Sequence, residues 1–274
     1  MSVAQALQTA SLTDSGRVRD HNEDCIESRP DIGLFVLADG MGGYNAGEVA
    51  SGMATSLIAD GVNEAWSPRD MDRMGRDEAK SHAEKLLREQ IGRANNAIFT
   101  TSQNNPECAG MGTTLVVCHF YDNFVAVAHI GDSRLYRLRG DVMEQVTRDH
   151  SLLQEQLDSG LITPEEAKLS QNKNLVTRAL GIDPVVEPEI HVHETQPEDL
   201  YLLCSDGLSD MVEDEEIRLT LITLKSNPSL TVQQLVQAAN DNGGRDNISA
   251  VLVRVAQPFG VPRGILARMK AFFR

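Results

Sequence analysis

The chain predicts a mixed α+β fold, and three observations carry that prediction. Apolar residues recur at helical spacing in some stretches and as short strand-like runs in others. Two pairs of Val- and aromatic-rich runs are joined by short turns. A hydrophobic fraction of 41% in 274 residues is enough to bury a substantial core. Taken in order, residues 33–38 read as a short buried strand that carries Asp39 into a glycine-rich loop. Residues 48–62 read as a helix with Val49, Met53, Leu57 and Ile58 or Ala54 on its apolar side. Residues 66–75 are polar and loop-like. A longer helix follows over 77–101, with Ala83, Leu86, Leu87, Ile91, Ala94 and Ile98 at helical spacing.

The middle of the chain is rich in strand formers. Residues 113–120 and 124–130 form one hairpin about Tyr121-Asp122-Asn123, and 134–138 and 142–146 form a second about Arg139-Gly140-Asp141. Residues 148–175 turn polar and helical, with Thr163 capping a short helix that Pro164 opens. That segment reads as a flap-like insertion over the sheet edge, where a polar loop on a rigid scaffold either sorts substrates or is merely solvated. Residues 200–204 are a buried strand, 213–224 and 231–240 are helical, and 248–255 form a last strand. No internal repeat or low-complexity linker interrupts this order, so one domain is expected over 1–256.

Composition narrows the function classes. A net charge of −15 disfavours non-specific binding of a phosphodiester backbone, so no nucleic-acid partner is expected. The four cysteines, Cys25, Cys108, Cys118 and Cys204, contain no CxxC pair, which argues against a zinc knuckle or a disulfide framework. No apolar run approaches the ~18 residues that span a bilayer, and the first residues lack a secretory pattern. A reduced, cytoplasmic protein is the expectation. The segment 257–274 stands apart, with Arg263, Arg268, Lys270 and Arg274 and no acid. Ile265, Leu266, Met269, Phe272 and Phe273 would share one helix face, making a basic amphipathic tail suited to docking on the acidic body or on a partner, and less to a membrane.

The chemistry concentrates in four acidic islands: Arg19 to Asp24, Leu37 to Gly43, Cys204 to Gly207 and Gly244 to Asn247. Three of them place a carboxylate beside glycine or asparagine next to an apolar run, where a fold can gather them. Aspartates with few Cys or His nearby favour Mg²⁺ or Mn²⁺ over zinc, because hard cations take carboxylates, carbonyls and water. Gly40 after Asp39 would let backbone approach an ion closely. An isolated Asp-Gly pair is more often an ordinary tight turn, and only the repetition of the pattern weighs against that.

Seven motifs in order then resemble the bacterial metal-dependent type 2C serine/threonine protein phosphatases. They are Arg19-x-x-Asn22-Glu23-Asp24, Asp39-Gly40-Met41-Gly42-Gly43, Gly110-Met-Gly-Thr-Thr114, Ile130-Gly-Asp-Ser-Arg134, Thr177-Arg-Ala-Leu-Gly181, Ser205-Asp-Gly207 and Arg245-Asp-Asn247. The resemblance covers residues 13–256. It implies a four-layer α-β-β-α sandwich of two antiparallel sheets flanked by helices, with a metal centre at one end. It implies two ions, Mn²⁺ or Mg²⁺: Asp39 bridges them, Gly40 offers its carbonyl to one, and Asp206 and Asp246 hold the other. Glu23 and Asp24 would act through bound waters, Asp132 with Asp206 would hold a weaker third ion, and Asn247 would orient a metal-bound water.

The implied reaction is hydrolysis of phosphoserine and phosphothreonine in proteins by a metal-activated water, opposing a bacterial serine/threonine kinase and acting on its targets. Two cations neutralise the phosphate dianion and acidify the water. Arg19, which alone would read as a surface cation, would grip phosphate oxygens in a bidentate contact. Many eukaryotic relatives carry histidine where this chain has Met41, so protonation of the leaving group falls to a metal-bound water; His21 and His150 are weaker candidates. The competing readings are a catalytically weak phosphoprotein-binding regulatory scaffold and a phosphatase of small molecules.

Overall fold

Leu34 to Ala38 are almost wholly buried because β3 (Leu34–Met41) is covered on both faces. Leu34, Val36 and Ala38 face a core shared with helices, and Phe35 and Leu37 face a second core shared with another sheet. The computed structural model describes residues 2–43, 46–67, 74–163, 166–167 and 175–261. β3 lies between β2 (Asp24–Arg29) and β5 (Leu115–Tyr121) in a sheet of order β2-β3-β5-β6-β9, with β6 at Phe124–Ile130, β9 at Glu189–Glu194, and the two-residue β4 (Gly112–Thr113) added beside β3. The facing sheet has the order β1-β11-β10-β7-β8, comprising β1 (Leu7–Asp14), β7 (Arg134–Arg139), β8 (Val142–Gln145), β10 (Leu200–Cys204) and β11 (Ile248–Val255). Every pairing between named strands is antiparallel.

Three cores separate four layers. After the single turn α1 (Val3–Ala6), the helices α2 (Ala46–Ala65) and α3 (Arg76–Asn104) cover the outer face of the first sheet. The two sheets enclose a middle core containing Phe35, Phe120, Tyr201 and Val251. The helices α6 (Asp214–Leu224) and α7 (Pro228–Asp241) cover the outer face of the second sheet. Among the described residues, α4 (Leu152–Asp158) and α5 (Asp206–Ser209) are further short helices. The expected sandwich is present.

The hairpin turn at Asp122 and Asn123 has φ of 46° and 61°, as a two-residue type I′ turn requires. α7 begins three residues earlier than its apolar pattern does, since Pro228 opens it and Asn227 caps it by accepting from the Leu230 N–H. Thr163 and Glu166 exchange side-chain to backbone hydrogen bonds as a capping box, although the helix expected from Pro164 lies largely outside the described residues. Residues 68–73 of the expected loop and the tail from 262 onward also lie outside them. Among the described residues, no helix is long and apolar enough to cross a membrane.

Two expectations need correction. The apolar side of α2 is not the one its large residues suggest: Val49 and Leu57 are exposed, while Ala50, Ser51, Ala54, Thr55, Ile58 and Gly61 are buried. Small residues face inward because α2 packs tightly, and a Cβ on Gly61 would lie 2.0 Å from the Gln90 Oε1 on α3. Asp39 is also not delivered to a loop. β3 runs on through it to Met41, because Gly40 pairs with Thr113 and Met41 with Gly112.

Candidate metal centre

The antiparallel register of β2 and β3 sets Asp24 directly opposite Asp39. Asp132 lies in the turn between β6 and β7, where the chain crosses from one sheet to the other. Asp206 opens α5 immediately after β10, and Asp246 precedes β11. Strand ends of both sheets therefore bring the expected carboxylates to one pole of the sandwich.

Hydroxyl groups aim them. The Asp39 N–H donates to Thr114 Oγ1 (3.1 Å), and its carbonyl accepts from Thr113 Oγ1 (2.8 Å) and the Thr114 N–H (2.9 Å). Thr114 Oγ1 also shares a hydrogen bond of 2.7 Å with Ser133 Oγ, beside Asp132. Ser205 Oγ donates to Asp24 Oδ2 (2.8 Å) and accepts from the Ser249 N–H (3.0 Å). None of these four roles was read from sequence. The only signal was position: Ser133 and Ser205 adjoin an aspartate within their motifs, and Thr113 and Thr114 close the Gly110 to Thr114 motif, which has none.

The glycines following the two aspartates serve packing. A Cβ on Gly40 would lie 2.1 Å from the Gly47 carbonyl oxygen of α2, and one on Gly207 would lie 1.9 Å from the Asn247 carbonyl oxygen. Gly40 also donates its N–H to the Glu23 carbonyl (3.1 Å), which accepts from Ser51 Oγ as well (2.6 Å). The expected reason for glycine at position 40 was access to an ion; the observed packing requires glycine independently.

The electrostatics are those of uncompensated negative charge. Burial pushes the Asp39 carboxyl well above the ordinary range, and Asp24, Asp206, Asp132 and Asp246 add to the rise. Burial likewise raises Asp206, with Asp132, Asp246, Asp210 and Asp24 contributing. Asp24 is pushed up to about 6 by burial, against the opposing hydrogen bonds of Ser249 and Ser205. Asp132 also reaches about 6, through burial and then Asp149 and Asp210. Burial raises Glu23, and the nearby Arg19 charge pulls it back. Asp24 Oδ1 and Asp206 Oδ1 are buried with no hydrogen-bond donor among the described residues. Buried, orphaned carboxylate oxygens that repel one another fit hard divalent cations, and the donors are all oxygen.

Arg19 donates from Nη2 to Asp246 Oδ2 (2.7 Å), and its side chain is about half exposed. Asn247 Oδ1 accepts from the Glu23 N–H (2.8 Å), and its Nδ2 donates to the carbonyls of His21 (2.8 Å) and Ser15 (3.1 Å). Both amide hydrogens are thus committed to backbone, so Asn247 clamps the 15–23 loop, a role the sequence did not announce. Of the histidines weighed as acids, His21 is exposed and His150 is buried against Gly131.

A constellation of this kind defines a divalent-metal enzyme. The chain belongs to the Protein phosphatase 2C family, whose profile matches residues 7–248. It is 38% identical over 244 residues to the serine/threonine phosphatase stp of Listeria innocua, covering 88% of this chain and 93% of that one. The crystal structure of the Mycobacterium tuberculosis serine/threonine phosphatase PstP/Ppp superposes with a TM-score of 0.81 at 36% identity, over 92% of this chain and 99% of that one. The catalytic domain of PstP in complex with 2 manganese ions gives 0.79 at 36% identity, over 92% and 99%. The chain is accordingly a Mg²⁺/Mn²⁺-dependent protein serine/threonine phosphatase of this family.

Proposed function

We propose that the carboxylates at this pole are the metal ligands of that activity. In this reading Asp39, the Gly40 carbonyl, Asp206 and Asp246 would hold two ions, with Glu23 and Asp24 contributing through water. Asp132 with Asp206 forms a third, weaker site. The ions supply charge neutralisation of the phosphoryl group and acidify the attacking water. The protein's own part is to hold the donors: Thr113 and Thr114 fix the Asp39 backbone, Ser205 orients Asp24, and Asn247 fixes the loop that carries Arg19 and Glu23. Arg19 binds non-bridging phosphate oxygens, exchanging its bond to Asp246 for the substrate.

The observation that carries the reading is the pair of buried, donorless oxygens on Asp24 and Asp206 among mutually repelling neighbours. Three further features belong to the proposal: cytoplasmic action on the targets of a serine/threonine kinase, substrate sorting by residues 148–175, and docking of the basic tail on the acidic body or a partner. The deciding experiment measures phosphate release from a phosphothreonine peptide with Mn²⁺, with Mg²⁺ and with chelator, for the wild type and for Asp39→Asn and Asp206→Asn. Metal-dependent release abolished in both variants supports the ligand assignment. Full release by both would sink it, and no release by a folded, metal-loaded wild type would favour the regulatory scaffold.

A further inference from the structure

Beside this centre, His129 on β6, His150 and Glu189 on β9 bring one ligand-type atom each within 4.8 Å of one another. The residue types suit a transition metal, but the hydrogen bonding gives His150 another task. The Gly131 N–H donates to His150 Nδ1 (3.2 Å), so the neutral ring carries its proton on Nε2, which faces Glu189 Oε2 at 3.5 Å. A metal on Nε2 would require the proton on Nδ1, where the Gly131 N–H already points. The His129 ring stacks on that of His150 with centroids 4.8 Å apart, and His129 Nε2 lies 2.8 Å from the Arg148 carbonyl oxygen.

Residue 150 grips Gly131 twice, since its own N–H also donates to the Gly131 carbonyl (2.9 Å). Gly131 immediately precedes Asp132. It has a φ of +99°, and a Cβ there would lie 2.7 Å from Thr114 Cγ2, so the turn is seated tightly. On the other side of Asp132, the Arg134 guanidinium donates from Nε and Nη2 to the Asp149 carboxylate, at 2.7 Å for the shortest contact. Asp149 and His150 thus hold the 131–134 turn from both flanks. The His150 carbonyl accepts from the Thr177 N–H (2.8 Å), and the neighbouring Ser151 bridges Val176, so the two ends of the 148–175 segment are joined at His150.

We infer that His150 is a positioning residue, whose Nδ1 and backbone N–H hold the Gly131-Asp132 turn so that Asp132 can serve the metal centre, and which links that turn to the base of the flap. The inference rests on the proposal that Asp132 is a ligand, and the test separates the two. Activity toward p-nitrophenyl phosphate is titrated with Mn²⁺ for the wild type, Asp132→Ala, His150→Ala, His150→Asn and His150→Gln, with thermal unfolding followed in parallel. An Asn Oδ1 stands where Nδ1 stood, whereas the polar atoms of Gln reach the level of Nε2.

The expected result is a rise of roughly tenfold or more in the Mn²⁺ requirement of His150→Ala, as loss of an outer-shell partner usually produces, with an unchanged KM. Asn should recover most of the loss and Gln should not, and this contrast decides the matter even where His150→Ala fails to fold. A wild-type Mn²⁺ profile for His150→Ala, alongside a shifted profile for Asp132→Ala, overturns the inference and leaves the ligand assignment standing. Rescue by Gln but not Asn overturns it in favour of the Nε2–Glu189 contact. Zinc retained stoichiometrically by the wild type and lost from His150→Gln would establish the metal alternative. An unshifted Asp132→Ala profile removes the ligand assignment itself.

Discussion

Acids wholly or partly removed from solvent meet opposite fates at two places in this molecule. In the second sheet, Arg134 and Arg139 at the two ends of β7 each hold one. Asp199, only 1% exposed in its side chain, accepts from Arg139 Nε (2.8 Å) and Nη2 (2.7 Å) and from the Gln196 N–H (2.7 Å), and Asp149 is held in the same forked manner by Arg134. At the pole of the sandwich, Asp24, Asp39, Asp132 and Asp206 face one another, and Arg19 reaches only Asp246 at the rim. A resident guanidinium makes a buried carboxylate part of the architecture. Carboxylates left without one are an incomplete electrostatic unit that a cation from solution can complete.

The largest effect should come from breaking the uncompensated side of that contrast. Asp39→Asn should lower Mn²⁺-dependent phosphate release by about 10³-fold or more, the loss expected when several kcal/mol of charge stabilisation disappears. The same variant should melt higher than the wild type in chelator, because one of several repelling charges is gone. A lower melting temperature in chelator would contradict the account. Breaking the compensated side should do the reverse. Arg139→Leu leaves the buried Asp199 without its guanidinium and should cost about 3 kcal/mol in urea unfolding, with metal-dependent turnover per folded molecule unchanged.

A smaller effect sharpens the comparison through pH. Carboxyls whose folded pKa is raised bind more protons in the folded than in the unfolded state. The metal-free protein should therefore lose stability as pH rises from the unfolded value of ~4 through the raised ones. Mn²⁺ replaces those protons, so at saturation it should raise the melting temperature by on the order of 5 °C. The gain should be larger near pH 8 than near pH 5.5. Equal gains at both would mean that the metal does not bind these groups.

The smallest expected effect concerns a buried base in neither region. His119 is fully buried against the Trp66 ring, with centroids 4.2 Å apart, and burial pushes its pKa down to about 3. The unfolded chain takes up this proton first, so stability falls as pH drops from ~6.5 towards that value, by about 1 kcal/mol per pH unit. His119→Leu should flatten that part of the acid limb in chemical unfolding curves. An unchanged slope would place the sensitivity elsewhere.

Legibility followed the physics of each position. The interior strands β3, β5, β6, β10 and β11 were readable because burial on both faces demands continuous apolar runs. Among the described strands longer than two residues, three went unread, β1, β2 and β9, and each is an edge of its sheet. Their residues are half covered and mixed in polarity, as in Glu189-Ile-His-Val-His-Glu194, so no periodic signal survives. The inward face of α2 was misread because tight packing selects Ala, Ser and Gly, which a hydrophobicity pattern discounts. At the site, Asp24, Asp39, Asp132, Asp206 and Asp246 were all legible as motifs. The clamp that Asn247 places on the 15–23 loop was not legible, since its partners lie more than 220 residues away.

By itself, the sequence determined which residues are available for metal chemistry, their order along the chain and the family to which that order belongs. Only the tertiary structure decided which acids would be neutralised within the protein. Asp199 and Asp24 are both buried aspartates, and no local property of either predicts that one lies beside Arg139 and the other opposite Asp39. The reason is range. Propensity, turn chemistry and apolar periodicity act over a few residues, whereas a buried charge takes its energy from whatever strand register and sheet stacking bring within a few ångströms.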